Sequence, residues 1–211
     1  DFPRHVSRMK APAHLEGPFA RMIAALLATL PGSMCVYQGE ELGLPTAYVP
    51  FELLVDPYDR EFYPDHIGRD SARTPIPWQK DEHHAGFSRT EHPTWLPVPH
   101  EHYPLAVFSQ EEDEDSTLHY YRNLLAWRRE QPALKGNDLK LMDIPSPVLS
   151  FERAHDNQKL YCLFNLSSEP TLVDIPHSFH TDHTIWQSGK VSINNGKMLL
   201  DAYAVGVIEA T

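Results

Sequence analysis

From residue 137 onward the chain changes character, and that change limits the possible folds more than any other feature. The runs 148–151, 160–164, 171–175, 184–186 and 204–208 are short, rich in β-branched and aromatic residues, and separated by turn signals. They predict an antiparallel β-domain over residues 137–211, with a boundary near Gly136. Upstream, Leu15, Phe19, Met22, Ile23, Leu26, Leu27 and Leu30 repeat at steps of three and four, which predicts a helix over 14–30 with a broad buried face. Pro31-Gly32 stops it. The apolar run 34–37, bounded by Gly32 and Gly39, reads as a buried strand, so the upstream part is expected to be α/β. A second helix is expected after Asp115-Ser116, a capping pair followed by Leu118, Tyr121, Leu124 and Leu125, and it ends at Gln131-Pro132.

Between these helices, residues 40–114 carry only fragments of pattern. Much of the chain's complement of 19 Pro falls between Pro45 and Pro104, which points to a long, elaborated loop. Long loops in compact domains usually carry function. With 211 residues and 41% hydrophobic composition, the chain is long enough for a sizeable core and far from a disordered composition. The net charge of −11 disfavours phosphate backbones and anionic lipid, so neither nucleic acid nor a membrane is expected as a partner. The most apolar stretch, 22–30, is too short to span a bilayer. Cys35 and Cys162 stand among apolar neighbours and are expected to be small core hydrophobes rather than a disulfide framework.

Several motifs occur in a fixed order: Asp1-Phe2-Pro3-Arg4-His5-Val6-Ser7-Arg8, then Pro31-Gly32, then Tyr37-Gln38-Gly39-Glu40-Glu41-Leu42-Gly43, then Gly68-Arg69-Asp70-Ser71-Ala72-Arg73-Thr74-Pro75-Ile76-Pro77-Trp78. Together with Leu124-Leu125-Ala126-Trp127-Arg128-Arg129-Glu130-Gln131-Pro132, they resemble glycoside hydrolase family 13, the α-amylase superfamily, and within it the α-glucosidase and oligo-1,6-glucosidase branch. The resemblance covers essentially the whole chain. It implies the C-terminal portion of a (β/α)8 TIM barrel, running from the loop after strand 7 to helix 8 over residues 1–136, followed by the antiparallel β-sheet domain. An open barrel fragment leaves edges uncovered, so the upstream part of the same barrel is an expected partner.

Retaining glucoside hydrolysis needs a nucleophilic carboxylate, a proton-donating acid and stabilisation of an oxocarbenium-like transition state. The family's nucleophile and acid/base have no matching position in this sequence. Its third carboxylate maps onto Asp1, which is expected to hold sugar hydroxyls at the −1 subsite as transition-state stabiliser. Arg69 is the expected substrate-binding residue, because a guanidinium offers a rigid fork of donors to adjacent hydroxyls. The alternative for Arg69 is a structural salt bridge with Asp70 or another loop acid. Arg73 reads as a clamp on loop carbonyls, and Arg4 as packing under the loop, with orientation of Asp1 as the alternative. Of Glu40 and Glu41, one is expected to cap a loop and the other to face the site. The family-level function is hydrolysis, with transfer as an option, of terminal α-linked glucose from small α-glucosides such as maltose. Sister activities on sucrose, isomaltose or trehalose, or a non-catalytic interaction subunit, are the alternatives.

Departures from the family pattern are visible as well. The Asn-His that precedes the corresponding Asp in the family motif has no counterpart before Asp1, and Asp59 stands where relatives often carry Gly after Asp-Pro-Tyr. Trp78, Phe62 and Tyr63 read as loop-core aromatics, with apolar walls for sugar binding as the alternative, and Asp56-Pro57-Tyr58 and Asp65 as structural loop residues. Thirteen His residues include His83-His84 and His100-Glu101-His102, but none has the spacing of a zinc site; they read as surface histidines. No metal and no cofactor is expected, and the expected compartment is the cytoplasm.

Overall fold

The computed structural model describes residues 2–65, 68–179 and 184–210. Among them, five α-helices (α1 His5–Arg8, α2 Glu16–Thr29, α3 Pro57–Glu61, α4 Val107–Glu111, α5 Thr117–Glu130) precede eight strands (β1 Asp138–Leu141, β2 Val148–His155, β3 Gln158–Asn165, β4 Thr171–Asp174, β5 Trp186–Ser188, β6 Val191–Asn194, β7 Lys197–Leu200, β8 Val205–Glu209). The chain divides into two compact units. One comprises residues 1–11 and 36–121, the other residues 12–35 and 122–211.

In the first unit, short helical turns replace regular elements. Leu42, Leu44 and Leu118 form one small core with Ile76, Leu105 and Val107, and Ala47, Val49, Leu54 and Leu96 form another. Side chains bonded to main-chain groups hold the connecting stretches together. Gln110 donates to the carbonyls of Leu42 and Leu105 and accepts from the N–H of Leu118. Ser116 caps α5, its hydroxyl accepting from His119 N at 3.2 Å, as the sequence predicts.

The second unit is the antiparallel β-region with two helical segments. One sheet has the order β1-β2-β3-β8-β5 and the other β4-β7-β6. Along β3, residues 160–165 are buried without alternation because both faces of this central strand are covered. Tyr161 and Leu163 pack with Val173, Met198 and Leu200 of the second sheet and with Ile175 and Phe179. The opposite face meets helices: Phe19 of α2 lies edge-on to Tyr203 at 5.1 Å, and Trp127 of α5 stacks on Trp186 at 5.0 Å. Sheet against sheet and helix against sheet is a stable layering for an apolar central strand.

Four expectations are corrected here. Residues 34–37 join no ladder, since a buried parallel strand forms only where neighbouring strands supply its partners, and none of the described residues does. Cys35 is accordingly exposed, whereas Cys162 is fully buried in β3. The buried face of α2 is the alanine side, Ala20, Ala24, Ala25 and Ala28 with Phe19 and Met22, while Leu27 is exposed. Small side chains let a helix approach its neighbours closely, and the apolar count alone pointed to the leucines. His102 is not a surface histidine but fully buried, its Nε2 2.9 Å from the Pro45 carbonyl.

Candidate active-site segment

The segment following Asp1 is pinned from several sides. Asp1 itself lies outside the described residues. Phe2 donates its N–H to the Tyr37 hydroxyl at 3.3 Å, and that hydroxyl donates to the Phe2 carbonyl at 3.1 Å. Arg4 is fully buried, its guanidinium donating to the carbonyls of Gln38, Pro45 and Ala72, while its N–H donates to Thr46. This is the loop-packing role expected for Arg4, and it joins three distant stretches. Burial pushes its pKa down, opposed by Tyr37, Glu41 and Glu40. Gly39 makes room for the guanidinium: its φ is +89°, and a Cβ there would lie 2.8 Å from Arg4 Nε.

Glu40 and Glu41 diverge, as adjacent residues in a tight turn must. Glu41 accepts from the Gly39 N–H at 2.8 Å and so closes its own turn. Glu40 is largely buried, and its Oε1 lies 2.5 Å from His5 Nδ1, so its observed partner is a side chain of α1.

Arg69 sits in a lock built from three aspartates. Its Nη2 donates to Asp56 Oδ1 at 2.7 Å, and Arg73 Nη1 donates to the other oxygen of Asp56 at 2.9 Å. The Arg69 side chain stays 39% exposed while that of Asp56 is 5% exposed, so a buried carboxylate holds a partly exposed arginine side chain whose Nε is itself buried. Hydrogen bonding to Arg69 holds the Asp56 carboxyl below the ordinary carboxylate range, and the same bond raises the pKa of Arg69. Asp56 also caps α3, accepting from Tyr58 N at 2.8 Å, with Pro57 in the first helical position. Asp59 accepts from the N–H groups of Arg69 and Asp70. Asp70 accepts in turn from the N–H groups of Val55 and Asp56.

Segments 55–59 and 68–73 are therefore bound reciprocally by carboxylates, and the partner of Arg69 is Asp56 rather than the adjacent Asp70. The sequence reading assigned no chemistry to Asp56 and treated Asp59 only as a departure. An Asp-Pro pair opening a short helix was the available signal for Asp56. Arg73, expected to tie backbone carbonyls, donates to the same carboxylate. The exposed faces of Tyr58, under the Arg69 guanidinium at 5.8 Å, and of Phe62 lie in this region, and Trp78 is half-exposed. Among the described residues no cluster of three or more His, Cys, Asp or Glu is placed to hold a metal ion, and no helix is long and apolar enough to cross a membrane.

The buried aspartates hold Arg69 by charge-assisted hydrogen bonds and leave its side chain partly exposed. The alpha amylase catalytic-domain family matches residues 1–137, and the C-terminal domain of alpha-amylase SusG matches residues 148–207. The chain belongs to the alpha-amylase family, glycoside hydrolase family 13. It is 42% identical over 176 residues to a probable alpha-glucosidase of Rhizobium meliloti, covering 83% of this chain and 31% of that protein. With an oligo-1,6-glucosidase of Parageobacillus thermoglucosidasius it shares 29% identity over 217 residues, covering 92% of this chain and 37% of the relative. The chain thus spans about a third of the length of these curated relatives. The crystal structure of the alpha-glucosyl transfer enzyme XgtA superposes with a TM-score of 0.89 at 39% identity, over all of this chain and 39% of that one. Trehalulose synthase MutB of Pseudomonas mesoacidophila superposes with a TM-score of 0.87 at 24% identity, over 99% of this chain and 41% of its own, a likeness of fold. The fold is accordingly part of an alpha-amylase catalytic domain followed by an antiparallel β-sheet region.

Proposed function

We propose that this chain is the C-terminal part of a retaining α-glucosidase that releases terminal α-linked glucose from small α-glucosides such as maltose and can pass it to an acceptor hydroxyl. The observation that carries this reading is the Asp56 lock, which fixes Arg69 while its side chain stays partly exposed, in a chain 42% identical over 176 residues to a probable alpha-glucosidase. In the proposed reaction an upstream carboxylate attacks the anomeric carbon while an upstream acid protonates the departing oxygen. Water or an acceptor hydroxyl then displaces the carboxylate. Asp1 holds sugar hydroxyls at the −1 subsite and tightens on them as the ring distorts. Arg69 donates to glucosyl oxygens through the donors it does not spend on Asp56. The likeness to an alpha-glucosyl transfer enzyme supports the transfer branch.

The division at residue 136 into barrel and β-domain, the upstream part of the barrel as partner, and a small α-glucoside as substrate belong to the same proposal. So does a cytoplasmic setting, which two unpaired cysteines fit. In the intact protein, Asp1→Asn is expected to lower glucoside turnover by about 10²–10³-fold at an unchanged unfolding temperature. Near-wild-type turnover contradicts the role given to Asp1.

A further inference from the structure

Arg69 is held at both ends by carboxylates from one short helix. Asp56, at the start of α3, grips its guanidinium at 2.7 Å, and Asp59, one turn on, grips its main chain at 2.8 Å. Asp59 is 3% exposed, and its second oxygen accepts from Asp70 N at 2.7 Å, so both oxygens are spent on the backbone of residues 69 and 70. This carboxylate occupies space that exists because residue 68 has no side chain. A Cβ on Gly68 would overlap the Asp59 carboxylate, and the nearest atoms to that Cβ all belong to Asp59. Asp59 and Gly68 are therefore a matched pair.

We propose that Asp59, seated in the space left by Gly68, is a positioning residue that fixes the main chain of Arg69 so that its guanidinium meets the glucosyl ring. The inference rests on the reading of Arg69 as a sugar-binding residue. Asp56 fixes where the fork lies and Asp59 where its stem begins. With only one of the two, the three-methylene arm pivots about its remaining anchor. Asp70 couples the two anchors by accepting from Val55 and Asp56, so releasing Asp59 also loosens the turn from which Asp56 projects.

The test is a double-mutant cycle in the intact enzyme with maltose as substrate. Asp59→Ala is expected to lower kcat/KM by up to about 10²-fold, the scale of a misplacement near 1 Å. In an Arg69→Ala background the same change is expected to cost less than about twofold, because the residue it positions is already gone. Equal losses in the two backgrounds, or none in either, overturn the inference. Asp59→Asn, which keeps one acceptor oxygen, supplies a variant that folds if the alanine does not, and is expected to show the same non-additivity with a smaller loss. Gly68→Ala is expected to lower the unfolding temperature more than Gly68→Ala combined with Asp59→Gly; the reverse order overturns the matched pair. Failure of the underlying reading looks different: an inactive wild type, or Arg69→Ala with unchanged kcat and KM, removes the glucosidase or Arg69 assignment itself.

Discussion

The guanidinium of Arg153 in β2 donates to the carbonyl of Thr29, the last residue of α2. It also donates to the carbonyls of Gly136 at 2.6 Å and Asp138 at 2.8 Å. Arg128 does the same for the neighbouring end groups, reaching the carbonyls of Ala28 and Gly32. The final carbonyls of a helix lack partners and carry its negative dipole end, so two arginines satisfy both needs. Arg153 is fully buried, and removing it takes its donors from the carbonyls of Thr29 and Gly136, both in buried bonds, and from the partly buried carbonyl of Asp138. Arg153→Met is expected to destabilise the protein by about 3 kcal/mol, measured by urea unfolding. A loss below about 0.5 kcal/mol, the range of an ordinary surface change, contradicts this account of the helix end.

His102 is a fully buried histidine in the Pro-rich stretch. Burial lowers its pKa to about 4, opposed by its bond to the Pro45 carbonyl. An unfolded histidine titrates near 6.5, so between about pH 6.5 and 4 the unfolded chain binds a proton that the folded one refuses. Stability therefore falls as pH drops through that window, by about 3 kcal/mol from this group alone. His102→Gln is expected to flatten the stability–pH profile between pH 6.5 and 4. An unchanged slope contradicts the assignment.

The β6–β7 hairpin turns on Asn195 and Gly196, whose φ values are +50° and +72°, and Asn194 faces Lys197 across the two-residue loop. Both positions need a left-handed backbone, which Asn and Gly adopt with least strain. Gly196→Ala is expected to cost about 1 kcal/mol, read from thermal unfolding, while Asn195→Gly stays close to neutral. An Ala variant as stable as wild type contradicts the turn.

Cys162 is fully buried, and burial pushes its thiol up to about 12. Iodoacetamide at pH 8 is expected to leave Cys162 unmodified in the folded protein and to alkylate it after unfolding, as read by peptide mass. Modification of the folded protein contradicts the burial.

What the sequence disclosed depended on how locally each feature is determined. Helix α5 was legible from its cap to its proline stop, because Ser116 and Gln131-Pro132 act on neighbours a few residues away. Strands β3 and β8 were legible because burial on both sides leaves a continuous apolar run, and the start of β2 by its apolar residues Val148, Leu149 and Phe151. Strands β1, β6 and β7 were missed: β1 is a mostly exposed edge, and the other two are short and mixed in polarity. The Asn195-Gly196 pair was the available signal for that hairpin. Residues 34–37 failed as a strand because pairing depends on neighbours that periodicity cannot supply. At the site, the motif around Arg69 was legible, but the lock was not. Asp56, Asp59 and Asp70 act across 10 to 17 residues of intervening chain, a distance at which charge pattern says nothing about who meets whom.

The proposed retaining hydrolysis of α-glucosides is tested most directly by following the anomeric form of glucose as it is released. Proton NMR of the intact enzyme acting on p-nitrophenyl α-D-glucopyranoside is expected to show α-glucose first, with β-glucose appearing only at the rate of mutarotation. β-Glucose as the first product, or no glucose at all, contradicts the account.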